Sequence, residues 1–234
     1  MYTYCKCKYN KFWQLYILRH IQDLSQRIHP NLPVYPGSPS PEIIKWSNYE
    51  VHGYESEVIF MSTHTGTHID CPSHFIPFGL TIDKIEADRF YSSAILIRTE
   101  KGPGNLISVD DISQYQIKDN AAIVIATGWE SRQNTPQYME NYPGLSKDAA
   151  EYIVSLKPNL VAIDSPSIDS AENPKFDVHK ILLSRNILIV ENVCNLDNLP
   201  VYFDLVVTPI LLQGVSGSPA RAFGIIKDQN QDTS

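Results

Sequence analysis

Cysteine, positive charge and long apolar runs are all scarce in this chain, and each shortage excludes a class of protein. The four cysteines, Cys5, Cys7, Cys71 and Cys194, are too few and too scattered for a disulfide framework, which indicates a reducing, cytoplasmic location. The net charge is −7 and no basic cluster stands out, so nucleic acid is not an expected partner. No apolar run approaches the ~20 residues that span a bilayer, so we expect no membrane contact either.

The chain is long enough for one large domain, and its composition is that of an ordinary globular protein. It has 234 residues, of which 43% are hydrophobic and 19% are charged. We predict an N-terminal extension at residues 1–20, a single domain at 21–226 and a polar tail at 227–234. The lysines and short aromatic run near the N-terminus are similar to a signal peptide. Gln14 interrupts that run and no small-residue cleavage site follows, which argues against a signal peptide.

Sixteen prolines divide the chain into short elements, and the predicted strands outnumber the predicted helices. Strands and helices alternate in the second half, which predicts one mixed α/β domain. Three helices are predicted directly after N-cap residues: Val109–Tyr115 after Ser108, Lys147–Leu156 after Ser146, and Val178–Ser184 after Asp177. Seven short, apolar segments are predicted as strands: Ile21–Leu24, Val58–Thr63, Ala94–Thr99, Ala122–Thr127, Leu160–Asp164, Ile187–Glu191 and Leu205–Thr208.

Residues 64 to 74 read His-Thr-Gly-Thr-His-Ile-Asp-Cys-Pro-Ser-His and contain three histidines and one aspartate. His68, Asp70 and His74 follow His64 at offsets of 4, 6 and 10 residues, so an extended chain would direct all four side chains to one face. A glycine and a proline within the stretch argue against a fully regular strand. Converging imidazoles and a carboxylate are typical ligands of Zn²⁺ or Mn²⁺. The alternative, hydrogen bonding without a cation, would leave many buried polar atoms in need of partners.

Two further candidates for the same site lie far along the chain. His179 opens a short predicted helix, and Glu191 directly follows a buried apolar segment, a common position for a ligand or a catalytic group. Simple exposure of Glu191 to solvent is the alternative, and spacing alone brings neither residue to the first cluster. Asp164 and Asp169 follow another predicted strand and are candidates for orienting ligands. Turn formation explains these two aspartates equally well.

The stretch from His64 to His74 resembles the signature of the cyclase family of metal-dependent hydrolases, whose members include formamidases and isatin hydrolases. The resemblance extends over nearly the whole chain from about Ile21 onward, and His179 and Glu191 have the family's spacing. It implies a swivelling β/β/α-type α/β domain that assembles as a homodimer or homotetramer. Similar motifs are Pro33–Gly37, Thr127–Trp129, Pro143–Ser146 and Ile163–Asp169.

The resemblance also implies roles for individual residues. His74 would stand beside the metal as general acid and base, and Tyr35 would contact the substrate ring. Isatin hydrolases carry an amide side chain at the position of Glu191, so the glutamate here favours two cations. Cys71 replaces the family's usual alanine, and we expect it to be a small core residue. The implied ligands of Zn²⁺ (one or two ions per chain) or of Mn²⁺ are His64, His68, Asp70, His179 and Glu191.

The implied activity is hydrolysis of a small amide, formamide or lactam, with N-formylkynurenine, a product of tryptophan breakdown, as the expected substrate. Two alternatives stay open. The same scaffold could act on another cyclic amide or lactone, or as a cyclase or dehydratase, because a fold does not fix a function. A structural metal in a protein without turnover is the other alternative, although such zinc sites are normally closed by four ligands and often contain thiolates.

Overall fold

The computed structural model describes residues 20–227, so the predicted N-terminal extension, with Cys5 and Cys7, and the polar tail lie almost wholly outside the described residues. The strands are β1 His20–Asp23, β2 Glu42–Ser47, β3 Ser56–Phe60, β4 His68–Asp70, β5 Tyr91–Arg98, β6 Leu106–Ile107, β7 Ala122–Ala126, β8 Gly144–Leu145, β9 Leu160–Ile163, β10 Leu188–Glu191, β11 Tyr202–Pro209 and β12 Gly217–Ile226. The helices are α1 Tyr49–His52, α2 Val109–Ser113, α3 Lys147–Ser155 and α4 Asp177–Leu183. None of these helices is long and apolar enough to cross a membrane.

Eight of the strands form one sheet, in the order β1-β12-β11-β5-β7-β9-β10-β4. Strands β5, β7, β9 and β10 are parallel to one another, and the other pairings are antiparallel. The sheet closes on itself, because residues 217–219 of β12 pair with β4 while residues 220–225 pair with β11. This closure holds β4 between β10 and β12, which are distant from it in sequence. The prediction of a mixed α/β domain is confirmed.

Alternating residues of the parallel strands fill two separate cores. In β7, Ile123 and Ile125 face the layer formed by α2, α3 and α4. Ala122, Val124 and Ala126 point into the interior of the closed sheet. Both faces of these strands are therefore dry, which explains why their sequences are continuous apolar runs rather than alternating ones.

The predicted helix starts are correct at two of three places. Ser108 forms a capping box with Asp111, and the Ser146 hydroxyl accepts the Ala149 N–H at 3.1 Å. The assignment of Asp177 as an N-cap is wrong, because Asp177 is the first helical residue of α4 and follows the left-handed Phe176. The first turn of α4 instead donates its backbone N–H groups to a carboxylate from a neighbouring loop, described below.

Candidate metal centre and active site

The stretch from His64 to His74 converges on one point, but not as a single extended face. His68 and Asp70 lie in β4, which is only three residues long. His64 precedes it in a turn that contains Gly66 in the left-handed region (φ 62°), and His74 follows in the 3₁₀ turn Pro72–His74. The prediction that one extended chain directs all four side chains to one face is therefore wrong for the two outer histidines, His64 and His74. Turns, rather than strand alternation, direct these two imidazoles towards Asp70.

Strand pairing and α4 bring the two distant candidates to the same point. Strand β10 pairs with β4 so that Glu191 lies opposite His68, and His68 Nε2 is 3.4 Å from Glu191 Oε2. His179, from α4, places its Nε2 atom 3.1 Å from Glu191 Oε1 and 3.4 Å from Asp70 Oδ2. The structure thus brings together all five predicted metal ligands, which no spacing in the sequence could show.

Two groups of potential ligands share one carboxylate. His68, Asp70 and Glu191 offer atoms within 4.8 Å of one another, and so do His64, Asp70 and His74. His64 Nδ1 lies 2.6 Å from Asp70 Oδ1. His74 stacks its ring on that of His64, with 3.9 Å between the ring centroids. Two adjacent groups that share Asp70 make this a candidate site for metal ions.

The hydrogen bonds of the histidines in the cluster indicate by themselves that the site suits a divalent cation. His68 Nδ1 lies 2.8 Å from the Gly66 carbonyl oxygen and His179 Nδ1 lies 2.6 Å from Asp169 Oδ2, so both Nδ1 atoms act as donors. When these rings are neutral, their Nε2 lone pairs point at carboxylate oxygens. Asp70 Oδ2 is buried and accepts no hydrogen bond, although His179 Nε2 is 3.4 Å away. Such facing lone pairs repel unless a proton or a cation lies between them.

The pKa values of these groups show how strongly the site attracts positive charge. Burial by itself lowers the pKa of His68, but the carboxylates of Asp70 and Glu191 raise it to about 9. Burial by itself raises the pKa of Glu191, but hydrogen bonds with His179 and His68 lower it to about 2. Nearby carboxylates also raise the pKa of His179, so protons occupy the His68 and His179 imidazoles when no metal competes, and a divalent cation would displace them on binding.

The two loop aspartates have different tasks. Asp169 accepts the backbone N–H groups of Val178 and His179 at 2.9 and 3.1 Å, and its Oδ2 atom fixes the His179 ring. Asp169 therefore caps α4 and orients a candidate ligand at once. Asp164 instead accepts hydrogen bonds from the backbone and hydroxyl of Thr127 and from the Gly128 N–H, so it holds a loop together.

We expect Asp169→Asn to lower metal affinity by about 10- to 100-fold, because an amide no longer fixes the tautomer and orientation of His179. Competition with a chromogenic chelator measures the affinity. Asp164→Asn is the matched control, since Asp164 is equally buried but has no contact with the cluster. The control should unfold at a lower temperature and keep its metal affinity, and an unchanged affinity in Asp169→Asn would contradict the assigned role.

Sequence reasoning missed the residues at the start of β12 that confine His64. Ser216 Oγ lies 3.0 Å from His64 Nε2. Gly217 leaves room for the ring: a Cβ there would be 2.6 Å from His64 Cε1 and 2.7 Å from the Ile69 carbonyl oxygen. Ser216 and Gly217 are about 150 positions away from His64, so no local pattern could reveal them.

Gly217→Ala is expected to displace the His64 ring, because the opposing Ile69 oxygen belongs to a paired strand and cannot yield. We predict a loss of stability of about 1–3 kcal/mol, as for other overpacked sites, and a lower metal content. Thermal unfolding of the purified variant measures the loss of stability, and elemental analysis measures the metal content. Gly102→Ala is the control, since a Cβ there meets only Asn105 Nδ2 at 3.4 Å. Full metal content in Gly217→Ala would show that His64 is not needed in its present position.

A cavity of about 180 Å³ opens onto the cluster. Tyr35, for which a contact with the substrate ring is predicted, lies in its wall. Phe75 and Phe176, which the sequence did not single out, form the rest of an aromatic wall, with ring centroids 5.1 Å apart and the Tyr35 ring 6.2 Å from Phe176. Trp129 is not among the lining residues, because it packs with Tyr138 and Tyr142 in a separate buried cluster.

Cys71 is a buried core residue, as expected. Its thiol donates to the Ser216 carbonyl oxygen at 2.9 Å, and burial raises its pKa. A thiol that stays protonated is a poor metal ligand, so Cys71 acts by packing next to the cluster.

Known proteins share both the sequence and the fold of this chain. Kynurenine formamidase from Geobacillus thermodenitrificans (strain NG80-2) is 30% identical over 203 residues, which cover 86% of this chain and 94% of that protein. Isatin hydrolase A from Labrenzia aggregata, solved with benzyl benzoate, has a TM-score of 0.83 at 23% identity and covers 90% of this chain and 94% of its own. A structure described as a potential metal-dependent hydrolase with cyclase activity has a TM-score of 0.77 at 24% identity, over 90% of this chain and 99% of its own.

A family model covers the part of the chain that holds the first half of the cluster. The model described as "Putative cyclase" matches residues 22–170, which is more than half of the chain and includes the stretch from His64 to His74. His179 and Glu191 lie beyond that match, but the fold brings them to the same point. The chain therefore belongs to the Cyclase family.

Proposed function

We propose that this protein is a metal-dependent hydrolase that cleaves the C–N bond of a small aryl formamide, with N-formylkynurenine converted to kynurenine and formate. The observation that carries the proposal is the pair of ligand groups that share Asp70 and open into an aromatic cavity. The formamidase from G. thermodenitrificans, with its 30% identity over most of both chains, supports this choice of substrate. The open cavity disfavours a purely structural metal, because structural sites are closed by protein ligands.

The residues of the cluster would hold one or two Zn²⁺ ions, with Mn²⁺ as the alternative. His64, His68, Asp70, His179 and Glu191 would bind them. A bound divalent cation supplies Lewis acidity, which lowers the pKa of water and polarises a carbonyl group. Two ligand groups lie side by side and share Asp70, and this supports a site with two ions.

We assign the proton transfers to His74. Its side chain lines the cavity and carries no assigned hydrogen bond, and burial lowers its pKa to about 4. A neutral imidazole at pH 7 can accept a proton from the attacking water. The water oxygen then forms a C–O bond at the formyl carbon while the C–N bond breaks. His74 returns the proton to the leaving amine nitrogen, which gives the free aryl amine and formic acid, and the acid releases its own proton to solvent as it becomes formate.

The cavity is of the right size for one aromatic ring. A dry cavity of about 150 Å³ accommodates benzene, and the cavity here measures about 180 Å³. Tyr35, Phe75 and Phe176 can stack against that ring by offset or edge contacts. The amino-acid part of N-formylkynurenine would then extend towards the open mouth.

One observation favours a second candidate, a cyclic amide such as isatin. Among the described residues that line the cavity there is no lysine or arginine, so the carboxylate of N-formylkynurenine has no partner of that kind there. A neutral lactam needs no such partner. Glu191 favours the formamide, since the resemblance places an amide side chain at this position in isatin hydrolases.

Steady-state kinetics on N-formylkynurenine, formanilide and isatin separate these candidates. We expect kcat/KM to be highest for N-formylkynurenine. Formanilide has the same scissile bond without the carboxylate, so equal values for the two formamides would show that the carboxylate is not recognised. Faster turnover of isatin would identify a lactam, rather than a formamide, as the substrate. If the metal-loaded protein turns over none of the three compounds, the proposal is contradicted.

The proposed enzyme would work in a reducing compartment, the cytoplasm. Both cysteines within residues 20–227 are free thiols, Cys71 and Cys194, which supports this location.

A further inference from the structure

Two side chains in the wall of the cavity carry polar groups that no other described residue engages. Asn192 and Ser167 line the cavity and are only 4% and 3% exposed. Among residues 20–227, neither Asn192 Nδ2 nor Ser167 Oγ takes part in a hydrogen bond. Neither atom is sealed off from solvent, so both reach the surface of the cavity. Polar groups of buried residues are normally hydrogen-bonded, so this pair is suited to contact a ligand.

The protein holds the Asn192 amide in a fixed position. The Tyr138 hydroxyl donates to Asn192 Oδ1 at 2.8 Å, which turns the Nδ2 group to the cavity. The Asn192 N–H donates to the Ser165 carbonyl oxygen, and the Asn192 carbonyl oxygen accepts the Thr67 hydroxyl. The backbone is left-handed here (φ 58°), a conformation that asparagine adopts more readily than most residues. The amide therefore presents its two N–H donors before any ligand binds.

Ser167 lies beside Asn192 because its loop is bonded to the end of β10. In addition to the bond from Asn192 to Ser165, the Ile168 N–H donates to Glu191 Oε1 at 2.7 Å. The Ser165 hydroxyl donates to the Ser167 carbonyl oxygen at 2.7 Å and stiffens the loop from within. Two neutral donor groups thus border the cavity next to a candidate metal ligand.

We propose that Ser167 and Asn192 determine substrate specificity by donating hydrogen bonds to a carbonyl group on the substrate ring, at the position next to the nitrogen. The inference rests on the proposed function, in which the substrate is an aryl amide. N-formylkynurenine and isatin both carry such a ketone, so the recognition applies to either candidate. The substrate class is therefore an N-acyl aryl amine with a carbonyl group ortho to its nitrogen.

The chemistry of the two groups favours this ketone over the other polar groups of the substrate. The reacting carbonyl group is the one that a bound cation would polarise, so its oxygen has a partner already. A carboxylate is disfavoured, because both donors are neutral and Glu191 beside them, with a pKa of about 2, is negatively charged at pH 7. The Asn192 NH₂ group is a donor and cannot accept the N–H of a leaving amine. The ring ketone is the acceptor that remains.

A comparison of two formamides measures the recognition of the ketone. 2-Formamidoacetophenone and formanilide have the same scissile bond and differ by the ortho acetyl group. We expect the wild type to favour 2-formamidoacetophenone by at least about 10-fold in kcat/KM, as a site built to bond a substrate group does. Ser167→Ala and Asn192→Asp should each lower that ratio by roughly 5- to 10-fold. Asn192→Asp keeps an acceptor for the Tyr138 hydroxyl and removes only the N–H donors.

Binding of ligands that cannot react separates this inference from the proposed function. 2-Aminoacetophenone and 2-ethylaniline differ by a single carbonyl oxygen, and calorimetry measures the affinity of the metal-loaded protein for each. We expect the wild type to bind the ketone about 10-fold more tightly, and both variants to lose most of that preference. If this preference is found and no formamide is turned over, the inference about the ketone is supported and only the proposed function is contradicted.

Asn195→Asp and Ser170→Ala are the matched controls. Asn195 has the same left-handed backbone (φ 59°) and Ser170 is likewise buried, but neither residue lines the cavity. Both control variants should keep the wild-type preference for the ketone, and circular dichroism establishes that every variant is folded. If Ser167→Ala or Asn192→Asp keeps the wild-type preference, or slows both formamides by the same factor, the role proposed for that residue is overturned.

Discussion

Replacing Asp70 with asparagine is expected to abolish both metal binding and turnover. Asp70 is fully buried, and its two oxygens lie 2.6 Å from His64 Nδ1, 3.4 Å from His68 Nε2 and 3.4 Å from His179 Nε2. It belongs to both ligand groups, so its loss affects each proposed cation. The amide removes a negative charge and turns an NH₂ group towards a position where a cation would lie. We predict a fall in metal affinity of more than about 100-fold, which exceeds the effect of outer partners.

Elemental analysis after gel filtration measures the metal that each protein retains. Asp23→Asn is the control, because Asp23 pairs with Arg221 at the surface and has no contact with the cluster. Added Zn²⁺ should raise the unfolding temperature of the wild type and of this control but not of Asp70→Asn. A full complement of metal in Asp70→Asn would contradict the role of Asp70 as the shared ligand.

His74→Ala is expected to lose turnover while it keeps its metal. The half-buried His74 ring lines the cavity and packs between the rings of His64 and Phe75. Burial lowers its pKa to about 4, so it is neutral at pH 7 and able to accept a proton. Removal of a general acid and base costs typically about 10²- to 10⁴-fold in rate, and we predict a fall in kcat within that range.

The metal content of His74→Ala decides between two roles for this residue. One ring nitrogen of His74 lies within 4.8 Å of potential ligand atoms of His64 and Asp70, so a ligand role is also geometrically possible. Retention of metal supports the proton-transfer role, whereas loss of metal would make His74 a ligand. His20→Ala, at an exposed position in β1, is the control and should match the wild type in both measurements.

The sequence predicted the chemistry of the centre better than its geometry. Three histidines and an aspartate within eleven residues identify a candidate metal-binding stretch without any knowledge of the fold. The distances of His179 and Glu191 from that stretch depend on the pairing of β10 with β4 and on the docking of α4, and these are long-range contacts. Only the family resemblance linked the two halves of the cluster in advance.

Strand β12 was not predicted and the N-cap of α4 was misassigned, and both errors have the same physical cause. Strand β12 contains Gly217, Pro219 and Gly224, residues that local propensity places outside strands, and the closure of the sheet overrides that preference. The cap of α4 was misassigned for a similar reason. Asp177 has the right residue type at the right place, but Asp169 reaches the same backbone N–H groups from another loop. Local sequence rules do not include a hydrogen-bond partner that only the tertiary structure brings close.

Metal content per chain, measured together with hydrolysis of N-formylkynurenine, is the decisive test of the proposed formamidase. We predict close to two zinc or manganese ions per chain and turnover that a chelator abolishes and the metal restores. If the protein contains metal but does not turn over this substrate, the proposed metal centre is supported and the proposed formamide substrate is contradicted. Absence of metal, even after reconstitution with Zn²⁺ or Mn²⁺, would contradict the whole account.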